Sequence, residues 1–172
     1  CKAYSPAFIG PLVLPAAVER VPPSSGLKIL GHPLGSATFC RGFFLRKADK
    51  TGVITDKICE LARYSGEFVL QSAYLLLRYC AEPRIAHLLR AAVPQWIRQA
   101  AAAHDAHILA CLNTLLGPDD LLCLGSAADA ELPAEWVAAA RLAVQQARLP
   151  IREGGLGLVS AADASPAAYV GG

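Results

Sequence analysis

Methionine is missing from this 172-residue chain, tryptophan occurs only twice, and no two cysteines stand as Cys-x-x-Cys. The last absence removes the compact redox and zinc-finger spacings. No apolar run reaches the roughly 18 to 20 residues that a spanning helix needs. Arg78, Arg84, Arg90 and Arg98 interrupt the richest region, which argues against a membrane partner. There is no secretory signal pattern. A Gly-x-Ser-x-Gly elbow, a Walker phosphate loop and a dinucleotide fingerprint are all lacking, so the best-marked hydrolase and nucleotide-binding chemistries have no foothold. The chain opens at Cys1 instead of methionine and reads as an excised fragment.

What is present is apolar and uneven in charge. Hydrophobic residues make up 54% and mean hydropathy is +0.38, much of it alanine and leucine, so the surface expects a neighbour. The cysteines at 1, 40, 59, 80, 111 and 123 fall mostly inside helix-like segments, as reduced buried thiols do. They predict a reducing intracellular compartment, nuclear or cytoplasmic. Residues 1–100 carry 13 Lys and Arg against 6 Asp and Glu, a net +7; residues 101–172 carry 3 against 8, a net −5. The basic half can meet phosphate or can simply be a solvated helix surface.

Patterning predicts a mainly α chain, with a small N-terminal β element followed by a bundle of about five to seven helices. Tyr4, Phe8, Ile9 and Val13 are broken by Pro6, Pro11 and Pro15, which allows only short edge strands. Residues 21–26 form a turn leading into a strand at 27–30, and Gly31 and Pro33 halt that strand as a hairpin or sharp corner. Ser36 caps a helix running toward Lys50, and Thr51-Gly52-Val53-Ile54-Thr55 predicts a kink or break before a second helix to about Tyr64. Residues 84–92 form a short helix and Pro94 opens another. Its stripe of Ile97, Ala101, His104, Ile108, Cys111 and Leu115 is buried, and Gly117 ends it. Residues 134–148 form a further helix around Trp136, Val137, Leu142 and Val144. Gly154, Gly155 and Gly157 then turn the chain into a last helix near Ser160.

Two groups invite catalytic or metal readings. Asp119-Asp120 could be compared with the paired aspartates of a polymerase, which hold two magnesium ions. They follow Gly117-Pro118 after a long helix instead of sitting in a hairpin behind an aromatic, so N-capping is the better reading. His104, His107, Cys111 and Cys123 could supply zinc ligands, but their spacing matches no compact finger and His104 and Cys111 belong to the apolar stripe. Core packing is expected there. Arg41, Arg46, Lys47, Lys50, Lys57, Arg78, Arg84, Arg90 and Arg98 could grip phosphates without reading bases.

Three stretches carry a resemblance: Gly26-Leu27-Lys28-Ile29-Leu30-Gly31-His32-Pro33-Leu34-Gly35-Ser36, the run Leu-Leu-Leu-Arg-Tyr-Cys-Ala-Glu-Pro-Arg at 75–84, and Leu149-Pro150-Ile151-Arg152-Glu153-Gly154-Gly155-Leu156-Gly157-Leu158. Their order, with helices between, resembles the region after the active site in non-LTR retrotransposon reverse transcriptases. The opening Cys1-Lys2-Ala3-Tyr4-Ser5-Pro6 is similar to the strand that follows the catalytic hairpin. The resemblance implies that residues 1–35 end a palm and form the primer grip, that 36–117 are a helical thumb, and that 118–172 are a C-terminal helical extension. It implies a portion of an RNA-directed DNA polymerase that holds an RNA/DNA template–primer duplex against the rest of the polymerase chain. Lys28, Leu30, Gly31, His32 and Gly35 would belong to the grip, and Arg41, Arg46, Lys47, Lys50, Arg78 and Arg84 would face the duplex backbone. Where the family often has an aromatic before Leu-Gly, this chain has Ile29. The aromatic-x-Asp-Asp motif and the earlier aspartate motif are missing. No catalytic residue and no cofactor are therefore assigned here, Mg2+ being expected in the parent's palm. The alternative is a non-catalytic helical protein-interaction module or a degenerate retroelement remnant.

Overall fold

Ser36 starts the longest element: its hydroxyl accepts a hydrogen bond from the Phe39 backbone N–H at 3.2 Å, satisfying one of the donors a helix start leaves free. The helix that follows, α1, runs unbroken over Ala37–Ser65 in a computed structural model that describes residues 2–3, 19–22, 25–65, 69–117 and 134–171. Cys1, Tyr4, Phe8, Ile9, Val13, Asp119, Asp120 and Cys123 lie outside the described residues, as does the side chain of Trp136.

The break expected at 51–55 does not occur. Thr51, Gly52 and Thr55 are buried, and the Thr55 hydroxyl bonds back along the helix to the Gly52 carbonyl at 2.8 Å. Small and β-branched residues are poor helix formers in isolation, but here they give the close face on which a second long helix lies, and packing overrides propensity.

That second helix is α4, Pro94–Leu116, opened by its proline and closed at Gly117, as the sequence predicts. Its stripe of Ile97, Ala101, His104, Ile108, Cys111 and Leu115 is buried throughout. Between α1 and α4 the chain returns through α2 (Leu70–Leu76), a π-helical turn (Leu77–Ala81), a 3-10 turn (Glu82–Ile85) and α3 (Ala86–Ala91). Two further helices, α5 (Ala134–Arg148) and α6 (Ala161–Gly171), complete the described bundle.

Before α1 stand β1 (Lys2–Ala3) and β2 (Glu19–Arg20), a short parallel pair, and then an antiparallel hairpin of β3 (Leu27–Ile29) and β4 (His32–Leu34). The hairpin pairs Leu27 with Leu34, Lys28 with Pro33 and Ile29 with His32. The expected fold class therefore holds: a mainly helical chain with a small β element in front. Among the described residues no helix is long and apolar enough to cross a membrane.

The interior has two apolar clusters with a polar layer between them. Cys40, Phe44, Leu88, Ile97 and Ala161 belong to one, and Ile58, Leu77, Leu112, Val144 and Leu158 to the other. Between them on α1 and α4 sit Thr51, Thr55, His104 and Asp105, all buried. The His104 ring nitrogens meet the Thr51 hydroxyl at 3.1 Å and the Glu82 carbonyl at 3.0 Å. The π-helical turn ends immediately before Glu82 and Pro83 follows it, which places that carbonyl toward α4. Asp105 accepts from the Ser160 hydroxyl (2.6 Å) and from the N–H groups of Ala161 (2.8 Å) and Ala162 (3.1 Å), so a carboxylate on α4 caps α6 from outside. The glycine turn at 154–157 delivers α6 to that cap, held by a bond from the Gly157 N–H to the Leu149 carbonyl at 2.8 Å and by the Tyr74 hydroxyl on the Leu156 carbonyl.

Candidate nucleic-acid interface

The hairpin is turned by two residues with positive φ, Leu30 at 48° and Gly31 at 90°, the signature of a type I′ turn. Glycine adopts such a φ freely, and a leucine does not. The Leu30 side chain is 95% exposed, so no packing explains its presence there. At the base, Gly35 is a space requirement: a Cβ would stand 2.7 Å from the Gly26 Cα and 3.0 Å from the Phe39 ring. The Cys40 thiol donates to the Pro33 and Gly35 carbonyls at 3.7 and 3.8 Å, and its burial pushes its pKa up. The hairpin is thereby tied to the start of α1.

Docked this way, the hairpin lays β4 against α1 and brings His32 of the same strand against α3. The His32 ring meets the His87 ring edge-on, with centroids 5.6 Å apart. On α1, the Lys47 ammonium lies 5.7 Å from the centroid of the Phe43 ring. Its pKa is lowered by partial burial first and then by the like charges of Lys28, Lys50 and Arg84. His87 is lowered by burial first and then by His32 and Lys47. An open groove of about 550 Å³ runs between the hairpin and α3, lined by His32, Pro83, Ala86, His87, Arg90 and Ala91.

Of the sequence-predicted residues, the structure brings together Lys28, His32, Lys47, Lys50 and Arg84, with Leu30 and Gly31 at the exposed tip of the same hairpin and Gly35 at its base. Arg41 and Arg46 are exposed on α1 but project from other faces of that helix than Lys47. Arg78 is engaged elsewhere: its guanidinium stands 5.0 Å over the Tyr79 ring and lies against the backbone of Gly157. His87 was missed, and Arg90, one of the cations that could grip phosphate, was not assigned to the grip or the duplex-facing set. The spacing of three from Arg84 to His87 to Arg90 was the available signal, since it places all three on one side of a short helix.

Among the described residues, which do not include Cys123, the zinc alternative is not assembled. Both ring nitrogens of His104 are already bonded within the polar layer, and the Cys111 thiol points at the Thr55 carbonyl. Nor do the acidic residues among those described fit a magnesium centre. Asp105 caps α6, Glu82 accepts from the Val159 backbone and has its pKa raised by burial and then by Asp105, and among the described residues no three metal-binding side chains converge. The arrangement can hold anionic oxygens by charge and hydrogen bonding.

No family model, curated protein or solved structure matches this chain.

Proposed function

We propose that this chain holds a nucleic-acid duplex by its sugar–phosphate backbone, acting as the primer-grip and thumb portion of a retrotransposon-type RNA-directed DNA polymerase without supplying its catalytic aspartates. The observation that carries the reading is that Lys28, Lys50 and Arg84, from a strand, one long helix and a 3-10 turn, lie near enough to Lys47 for their charges to act on it, and Lys47 acts in turn on His87, which lines a groove with His32 and Arg90. A gathering of like charges that lowers the pKa of Lys47 is what a polyanion offsets. The exposed, backbone-strained Leu30 at the tip of the same hairpin is a second sign of a contact surface.

Binding of a short RNA–DNA duplex, measured from low to physiological salt, tests this. The affinity should fall steeply with salt and be nearly independent of base sequence, because the contacts are to phosphate. An affinity that is flat across that range would refute it.

A second reading, a helical protein-interaction module, is favoured by the exposure of Leu61, Tyr64, Leu75, Leu76 and Tyr79 at neighbouring ends of α1 and α2 and in the turn that follows. It predicts self-association, seen by light scattering, that duplex does not alter.

A further inference from the structure

The second apolar cluster contains a pair of nucleophiles that the proposed interface does not use. The Sγ atoms of Cys59 on α1 and Cys111 on α4 are 3.4 Å apart. Cys59 is partly exposed, whereas Cys111 is 2% exposed. The Cys59 thiol donates to the Cys111 sulfur, and the Cys111 thiol donates to the Thr55 carbonyl at 3.6 Å. The Cys111 proton is therefore turned away from Cys59, and its lone pairs face the Cys59 sulfur.

We propose that Cys59 and Cys111 form an oxidative modification site that takes a low-molecular-weight disulfide as its oxidant and closes into a covalent bond joining α1 to α4. Burial fixes the order of events, because Cys59 is the member a solvent-borne oxidant can reach. The Cys59 thiolate attacks one sulfur of the small disulfide; the S–S bond of the oxidant breaks, a mixed disulfide forms on Cys59, and one small thiolate leaves and takes up a proton. Cys111 then loses its proton to solvent and attacks the Cys59 sulfur, and the second small thiol departs. Two protein thiols are oxidised and one small disulfide is reduced to two thiols. The sulfurs must close from 3.4 Å to about 2.05 Å. Burial, and then the neighbouring Cys59, push the Cys111 thiol far up. The second step is consequently the slow one at neutral pH and quickens as pH rises. Cys80, which is exposed, should stop at the mixed disulfide.

The experiment treats the full chain with oxidised glutathione at about pH 7 and about pH 8.5, the range over which thiolate fractions change most. Samples are quenched by acid and alkylation and mapped as non-reduced peptides. The expected map shows a glutathione adduct on Cys59 giving way to a linked Cys59–Cys111 peptide, several-fold faster at the higher pH. The linked peptide should survive Cys80→Ser and vanish in Cys59→Ser, and the thermal midpoint of the oxidised wild type should rise and return on reduction. A Cys59 that stays reduced while Cys80 reacts, or an adduct on Cys59 that never passes to Cys111, would overturn the proposal. Because the wild-type map alone decides between these results, a Cys59→Ser chain that failed to fold would not obscure the answer.

Discussion

Leu30 occupies a backbone position that costs a non-glycine residue about 1 kcal/mol or more, at φ 48° and with its side chain 95% exposed. Asparagine is preferred at that place in a type I′ turn. Leu30→Asn should accordingly strengthen the hairpin by up to about 1 kcal/mol, read as slower amide exchange at Ile29 and His32, while weakening duplex binding because the exposed side chain is gone. A variant that strengthened the hairpin and left binding unchanged would remove Leu30 from the interface. His104 makes a prediction of the opposite kind, concerning stability alone. Burial holds its pKa below the usual histidine value, and neutral imidazole suits a ring that donates to the Glu82 carbonyl and accepts from the Thr51 hydroxyl. The unfolded chain takes up a proton at this position near pH 6.5 and the folded chain does not. Its contribution is thus present above about pH 6.5 and lost as pH falls toward the lower folded pKa. His104→Gln can keep the bond to the carbonyl but does not titrate. Urea unfolding of the two proteins at stepped pH should show wild type losing more stability than the variant on acidification, and parallel curves would contradict the neutral-histidine assignment.

At the scale of elements, α6 depends on a residue far from it in sequence. Asp105 brings a charge and accepts two backbone N–H bonds at the α6 N-terminus, and charge-assisted bonds of this kind each contribute about 1.5–3 kcal/mol. Asp105→Asn places an amide donor where acceptors are needed, so hydrogen exchange should show residues 161–171 losing protection well before α1. Uniform loss across all helices would mean that α6 does not open separately. Pro166 cannot bond the Ala162 carbonyl, and the Ser165 hydroxyl reaches that carbonyl at 3.3 Å. Elements marked by local chemistry were legible in the sequence: the Ser36 cap, the start at Pro94, the stripe from Ile97 to Leu115 and the glycine turn before Ser160. What was not legible depended on partners distant in the chain. Thr51 and Thr55 look like helix breakers until α4 lies against them, and the π-helical turn at 77–81 leaves no composition signal. For the interface, sequence gave charge without position. Arg78 and Lys47 are equally basic in the sequence, and only the docking of the hairpin on α1 and α3 puts Lys47 in the cluster and leaves Arg78 beside Gly157.

Across the whole molecule, the polar layer of Thr51, His104, Glu82, Asp105 and Ser160 joins α1, the 3-10 turn, α4 and the entry to α6, so the cationic face rests on elements held by directional bonds as well as by apolar contact. The measurement that tests the account most directly compares the salt dependence of duplex binding for wild type, Lys47→Ala/Arg84→Ala and Arg41→Ala/Arg46→Ala. Each phosphate contact removed lowers the slope of log affinity against log salt by about one. The account predicts a slope shallower by about two for the first pair, with affinity reduced alike on unrelated sequences, and little change for the second. Equal losses from both pairs, or no loss from Lys47→Ala/Arg84→Ala, would contradict the claim that the hairpin, α1 and the 3-10 turn gather their charges to hold a duplex.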